Sequence, residues 1–274
     1  MAQKRLSVVI VTKNNIREHN SSLAFVIKAL LCQDLNDLEI IIVDDSSTDE
    51  TTQFIRSMGH PVQAIPGKSD GNNLGSLRNQ GAAKAQGELL LFMDDDTFLP
   101  TESTISQTIR LLSRNDFACG AQRFWTHLYW ARYVDASLSY SMISNTLQNL
   151  SVSPQGINRQ TGFRDLNEFS FIANFGLIKR KTFFEVGGFN EEFEGLGMDD
   201  TELMMRLCMS GYEYRILFDN INVIHLNHVQ FASQSFMTNL EKFYQLENKA
   251  GYHFHVNHFF GVYEGDGHSV LTKI

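Results

Sequence analysis

The stretch ELLLFMDDDTFLP, Glu88 to Pro100, drives five apolar residues, Leu89 to Met93, straight into three consecutive aspartates. A short apolar run closed by polar residues reads as a strand buried on both faces. Two earlier stretches have the same form. In RLSVVIVTKNN (residues 5–15) the run ends in Thr12, Lys13, Asn14 and Asn15, and in LEIIIVDDSSTDE (residues 38–50) it ends in Asp44 and Asp45. Between them the period changes. SLAFVIKALLCQ (residues 22–33) sets Leu23, Ile27, Leu30 and Leu31 at helical spacing. After Asp45 a helix is expected, opened by Ser47 and Glu50 as a capping box and stopped by Gly59. VQAIP (residues 62–66) reads as a short strand, and NNLGSLRNQGAAKAQG (residues 72–87) as a small-residue helix able to approach a sheet closely.

Strand and helix in alternation, with continuously apolar strands, predict an α/β fold. Its core is a Rossmann-like, mostly parallel central sheet flanked by helices. Ligands of such sheets sit beyond the carboxyl ends of the strands. Thr12 to Asn15, Asp44 with Asp45, and Asp94 to Asp96 all fall there, so three polar clusters converge on one crevice.

The second half is less regular. Residues 125–150 carry Trp125, Tyr129, Trp130, Tyr133 and Tyr140 and are read as helix, with Trp125, Tyr129 and Trp130 serving either as helix core or as an apolar platform for a ligand. SVSPQGINRQTGFRDLNE (residues 151–168) has no period and reads as a loop, with the character of a lid. FSFIANFGLI, YRILF and NVIHLNHV read as strands, and GMDDTELMMRLCMSG and FMTNLEKFYQLENKAGY as helices. HFHVNHFF (residues 253–260) alternates histidine with aromatics as a half-buried strand does; a second metal site is the competing reading. No repeat, linker or low-complexity segment divides the 274 residues, so one domain over 1–274 is expected.

Composition bounds the function. With 43% hydrophobic and 20% charged residues, the chain can bury a sizeable core. A net charge of -8 argues against nucleic acid or an anionic membrane as the main partner. An anionic substrate would then need local positive charge, and a metal ion is the obvious source. Cys32, Cys119 and Cys208 are odd in number and far apart, as expected of reduced buried thiols. No signal peptide is visible, and Val8 to Val11 is too short for a transmembrane helix. The expected location is cytoplasmic, with peripheral membrane association left open.

Three adjacent aspartates repel one another unless a hard divalent cation sits among them. Two chemistries that use such acids fail here. A haloacid-dehalogenase phosphatase needs Thr or Val two places after its second aspartate, where Phe98 stands. A P-loop needs a Lys that GNNLGS (residues 71–76) lacks.

The whole arrangement resembles the glycosyltransferase family 2 enzymes of GT-A fold. The resemblance is carried, in order and spacing, by SVVIVTKNN, IIIVDDSSTDET, NLGSLRNQGAAKAQGELLLFMDDDTFLP and VGGFNEEFEGLGMDDTELMMRL. GLIKRKTFFEVGGFNEEFEGLGMDDTELMMRL together with VIHLNH is similar to the C-terminal half shared by β-1,4-galactosyltransferases and polypeptide GalNAc-transferases. The resemblance implies a nucleotide-sugar half over residues 1–100, an acceptor and catalytic half with a smaller mixed sheet over 101–230, and a C-terminal helix and tail over 231–274. It implies transfer of a sugar from a nucleotide diphosphate sugar, UDP-linked, to a hydroxyl acceptor, with Mn²⁺ or Mg²⁺ and with inversion.

By the same resemblance, Thr12, Asn14, Asp44, Asp45, Arg78, Asp94 and Asp95 match the donor-holding positions. Asp45 is suited to accept the uracil imide N–H, Arg78 to reach base or phosphate, and Asp94 to meet ribose or a metal-bound water. Asp95, pointing the other way in an extended chain, is a donor contact or a supporting acid. Asp96, His225 and His228 match the metal ligands, and imidazole suits Mn²⁺ better than Mg²⁺. Asp199 and Asp200 match the catalytic pair, with Asp200 as general base; the bland alternative is that they are acids favoured by a helix dipole. Crowding by Asp199 and Glu202 and desolvation would lift Asp200 towards neutral pH. Lys13 departs from the family's aromatic residue, which removes base stacking there and suggests a phosphate contact. The rival functions are a sugar-phosphate nucleotidyltransferase, whose glycine-rich signature VVIVTKNNIRE lacks, and a non-catalytic nucleotide-sugar-binding module.

Overall fold

The computed structural model describes residues 6–69, 73–153, 169–195, 197–228, 235–256 and 270–274. Its strands, in chain order, are β1 (Leu6–Thr12), β2 (Leu38–Asp44), β3 (Val62–Pro66), β4 (Leu89–Asp94), β5 (Thr97–Phe98), β6 (Phe117–Cys119), β7 (Gln122–Thr126), β8 (Ser151–Val152), β9 (Gly176–Lys179), β10 (Tyr214–Ile216), β11 (Asn222–His225), β12 (Tyr252–Phe254) and β13 (Leu271–Lys273). Seven form the main sheet in the order β10-β6-β9-β4-β1-β2-β3, with β9 alone antiparallel to its neighbours. A smaller mixed sheet runs β5-β11-β7-β8, and β12 pairs with β13.

The register fixes the site. Thr12 pairs with Asp44 and Val11 with Asp94, so β1, β2 and β4 end on one edge. Alternation along the strands sends Val8, Ile10, Ile40, Ile42, Leu91 and Met93 to one face, under the helix Ser22–Leu31. Val9, Ile41, Val43, Leu90 and Phe92 go to the other, under the helices Leu74–Lys84 and Asp199–Met209. Each such side chain contributes about 1.5–3 kcal/mol by leaving water, so a one-residue slip of register would cost far more than any polar contact gains. The close approach expected of the helix Leu74–Lys84 is real: a Cβ on Gly81 would lie 2.4 Å from Val9 Cγ1.

Three local expectations are corrected. Asp44 captures Ser47, accepting from its amide at 3.2 Å and its hydroxyl at 2.5 Å, so the chain turns there and the helix begins only at Thr51. Residues 169–178 are not one strand. Asn174 Oδ1 accepts the Phe171 amide proton at 3.1 Å, closing a helical turn over Ile172–Phe175, and β9 starts after it. Residues 125–150 are not one helix. Trp125 lies on β7, Trp130 begins a 3₁₀ turn, and the helix is Tyr140–Asn149. The lid expected at 151–168 begins as β8, and its remainder, 154–168, lies outside the described residues.

Candidate active site

The crevice at the strand ends has two kinds of polar group. The first kind is fully engaged with the protein. Asp95 accepts from Thr12 Oγ1 at 2.6 Å and Asn15 Nδ2 at 2.8 Å, and its other oxygen lies 3.3 Å from His19 Nδ1. Ser22 Oγ donates to its carbonyl at 2.9 Å. Asp95 thus ties the end of β4 to β1 and to the start of the helix Ser22–Leu31. Burial opposes a charge on His19, but the hydrogen bond and the charge of Asp95 outweigh it and raise its pKa to about 9. Asn14 sits in the left-handed region (φ 47°), donates to Glu18 at 3.0 Å and accepts from the Thr48 amide at 2.8 Å. Asp44 holds Ser47 and also Thr52 Oγ1. Asp45 is paired with Lys13 at 2.9 Å and with Ser69 Oγ at 2.8 Å. Lys13 thus meets a carboxylate of its own chain.

The second kind lies one step further along. Buried Arg78, on the helix Leu74–Lys84, donates to Asp199 Oδ2 at 2.7 Å and to Asp94 Oδ1 at 3.2 Å. It clamps the first turn of the helix Asp199–Met209 to the end of β4. Asn174 Nδ2 donates to Asp94 Oδ2 at 2.5 Å. Burial raises the Asp94 pKa, and Arg78 works against that rise. Asp200, beside the clamp, has among the described residues only Thr201 as a donor, through its amide at 2.8 Å and its hydroxyl at 3.5 Å. Burial first, and then the charge of Asp199, raise its pKa to about 7, with Arg78 opposing. Glu202 does not add to the crowding, because Arg206 takes both its oxygens at 2.6 and 2.7 Å. The turn before Asp199 is braced by Asn239, which donates to the carbonyls of Glu194 and Gly197 at 2.9 and 3.0 Å. Gly197 has φ 93°, and a Cβ there would strike Phe236.

Asp96 faces the smaller sheet. Its Oδ1 lies 3.1 Å from His225 Nδ1 and its Oδ2 3.1 Å from His228 Nε2. One donor atom from each residue falls within 4.8 Å of the others. Burial resists charge on Asp96, yet His225, His228 and Arg123 together hold its carboxyl well below the usual range. His228 stacks on His19 with ring centres 4.0 Å apart, and His225 lies 4.1 Å from Trp125. Among the described residues, four buried side-chain polar atoms lack a hydrogen bond: Asp96 Oδ1, His225 Nε2, Arg123 Nε and Arg180 Nε. The first three belong to this one cluster, since Arg123 Nη2 lies 3.2 Å from His225 Nδ1. Unsatisfied buried atoms are rare in folded proteins, so three together mark a place built for something else. One carboxylate and two imidazoles with open donor capacity suit a divalent cation, Mn²⁺ ahead of Mg²⁺.

Sequence reading missed several residues of this site. His19 lies in NNIREHN, where nothing but polarity stood out. Asn174 was hidden inside an assumed strand. Arg123 had a usable signal: once residues 122–126 are a strand, alternation puts Arg123 and Trp125 on one face, opposite His225 in the register of β7 and β11. Of the expected aromatic platform, Trp130 is buried and donates its indole N–H to Asn227 O at 2.9 Å, while Tyr129 is exposed. Of the tail histidines, His253 lies 3.3 Å from Glu247, His255 meets Thr272 at 2.9 Å, and position 258 falls outside the described residues. The cysteines are free thiols, Cys119 buried and the others partly so. No helix among the described residues is long and apolar enough to cross a membrane.

Comparison with known proteins identifies the family and the fold. The N-terminal domain of galactosyltransferase matches residues 168–229, the segment that carries Asp199, Asp200, His225 and His228. An uncharacterized glycosyltransferase of Bacillus subtilis, YfnE, is 24% identical over 70% of this chain and 58% of its own length. A Campylobacter jejuni enzyme named GalNAc(5)-diNAcBac-PP-undecaprenol β-1,3-glucosyltransferase is 25% identical over 70% and 56%. This chain thus spans little more than half the length of these relatives. Among solved structures, Staphylococcus aureus TarS 1-349 in complex with UDP-GlcNAc superposes with a TM-score of 0.59 at 16% identity, covering 89% of this chain and 67% of that one. The mannosyltransferase PcManGT of Pyrobaculum calidifontis, in complex with GDP-Man and Mn²⁺, superposes with a TM-score of 0.53 at 19% identity, covering 81% and 56%. At such identities the likeness is one of fold, the GT-A glycosyltransferase fold. Glycosyl transferase family 2 itself matches residues 7–183, well over half the chain, and the protein belongs to that family.

Proposed function

We propose that this chain transfers a sugar from a UDP-sugar to a hydroxyl of a glycan or similar acceptor, with inversion and with a divalent cation. The observation that carries the reading is the cluster of Asp96, His225 and His228, whose orphaned buried atoms and donor set fit Mn²⁺. A bound cation would neutralise charge developing on the leaving diphosphate. The solved complexes of TarS with UDP-GlcNAc and of PcManGT with GDP-Man and Mn²⁺ support the donor class.

The protein's own groups have separate tasks in this reading. Asp200 takes the proton of the acceptor hydroxyl. The acceptor oxygen forms its bond to C1 as the bond from C1 to the diphosphate oxygen breaks, and UDP leaves on the opposite face. A carboxyl with a pKa of about 7 suits this task, because a base poised near the working pH combines availability with proton affinity. Arg78 holds Asp199 and Asp94 beside it and so fixes the acid cluster.

The test is a panel of UDP-, GDP- and TDP-sugars with Mn²⁺, followed by release of the free nucleotide. Release of UDP from one preferred sugar, lost on chelation, is expected. No turnover with any donor, or equal turnover after chelation, would overturn the reading.

A further inference from the structure

We infer that Arg123 is a second cationic ligand of the donor's diphosphate, acting beside the divalent metal. The inference rests on the reading that this site takes a nucleotide diphosphate sugar, and it adds a residue that the family resemblance did not supply.

Two arginines enter the crevice, and they are treated differently. Arg78 has two carboxylates within hydrogen-bond distance. Arg123 has a ring on one side, with its guanidinium carbon 4.4 Å from the centre of the Trp125 ring, and His225 Nδ1 at 3.2 Å. Its Nε is buried without a partner. A guanidinium is a planar fork of donors shaped for carboxylate or phosphate, and half-buried Arg123 has among the described residues one hydrogen-bond partner, His225, and no carboxylate in hydrogen-bond contact.

His225 lies between Arg123 and Asp96, with its Nδ1 3.2 Å from Arg123 Nη2 and 3.1 Å from Asp96 Oδ1. Asp96 Oδ1, His225 Nε2 and Arg123 Nε are all buried without a hydrogen bond. A cation on the Asp96 side and an anion on the Arg123 side would meet these atoms together, and a metal-bound diphosphate is such a pair.

The test is calorimetric binding of UDP, UMP and uridine to the full chain, with Mn²⁺ and with EDTA. Wild type in EDTA should still prefer UDP to uridine. Arg123→Met should weaken UDP binding roughly 10–100-fold, the range of a hydrogen bond to a charged group, and leave uridine unchanged. If the Met variant does not fold, Arg123→Gln, which keeps polarity without charge, provides the same comparison. A wild type that binds UDP no better than uridine in EDTA overturns the assignment. So does a folded variant whose ratio of UDP to uridine affinity is unchanged, as expected if Arg123 only neutralises the acids and packs on Trp125. A wild type that binds no UDP even with Mn²⁺ would instead sink the donor reading itself.

Discussion

The carboxylates at the end of β2, with Asp95, end in a state opposite to that of Asp96, facing the smaller sheet, and Asp200, at the start of the helix Asp199–Met209. Asp44, Asp45 and Asp95 are each held by two or more donors of the chain itself. Glu39, buried at the far edge of the sheet, is likewise held by Ser7 Oγ and by the amides of Gln86 and Gly87. Asp96 and Asp200 differ: Asp96 meets two histidines but keeps an orphaned buried oxygen, and Asp200, served by its neighbour Thr201, keeps a raised pKa. A buried acid that its own protein satisfies works as a strut. A buried acid left wanting stores a demand that a ligand or a proton can meet.

If that division is right, substitutions on the unsatisfied side should strike chemistry and those on the satisfied side should strike stability. The largest effect is expected from Asp200→Asn. Transfer should fall by about 10²–10⁴-fold, the usual worth of a general base, while UDP affinity by calorimetry stays within a few-fold of wild type. The fold should gain from the same change. The Asp200 pKa lies above its unfolded value, so the folded state holds a proton between about pH 4 and pH 7 that the unfolded chain has released. Its contribution to stability therefore shrinks as pH rises through that window. Asp200→Asn should raise the melting temperature more at pH 8 than at pH 5, and an equal shift at both would contradict the burial of its charge.

Asp96→Ala ranks next. Mn²⁺-dependent UDP binding should vanish with the fold intact by circular dichroism. Tight Mn²⁺-dependent binding that survives the change would remove Asp96 from the metal. The wild-type pH profile is a milder probe. At saturating donor the rate should rise roughly tenfold per unit below pH 7, where Asp200 still carries its proton, and flatten above it. A profile flat from pH 5 to 8 would assign the proton transfer elsewhere.

Much of this division was legible in the sequence, and the reason is physical. Apolar runs closed by acids name the strand ends, and the parallel sheet then gathers Thr12, Asp44, Asp45 and Asp94 to Asp96 onto one edge whatever the loops do. The helix Asp199–Met209 was likewise plain from its period. The roles within the crevice came from the family resemblance and not from the pattern of the residues. Whether Asp95 or Asp96 faces the open side depends on which face of β4 meets the helix Ser22–Leu31, a packing choice. Arg123 and Asn174 were missed because their segments are short: β7 has five residues and the turn at Ile172 has four. Periodicity needs more residues than that to declare itself. Asp44 misled for a related reason. Ser47 served it and not the helix, and both uses look alike on paper.

On the satisfied side, Asp95→Ala should cost on the order of 3 kcal/mol in urea unfolding, since it leaves Thr12, Asn15 and His19 facing a hole. The smallest effect is expected at Lys13→Ala, and it tests the division most finely. Lys13 is half exposed while Asp45 is buried, so the ion pair is screened at one end only. Ser69 continues to donate to Asp45 when the lysine is gone, and the carboxylate is not stranded. A pair of this kind is worth about 0–1 kcal/mol and weakens with salt. Stability measured in low salt should therefore drop by less than about 1 kcal/mol, and the drop should fade at 0.5 M NaCl. A loss as large as that of Asp95→Ala would mean that Ser69 does not suffice, and would move Asp45 to the unsatisfied side of the crevice.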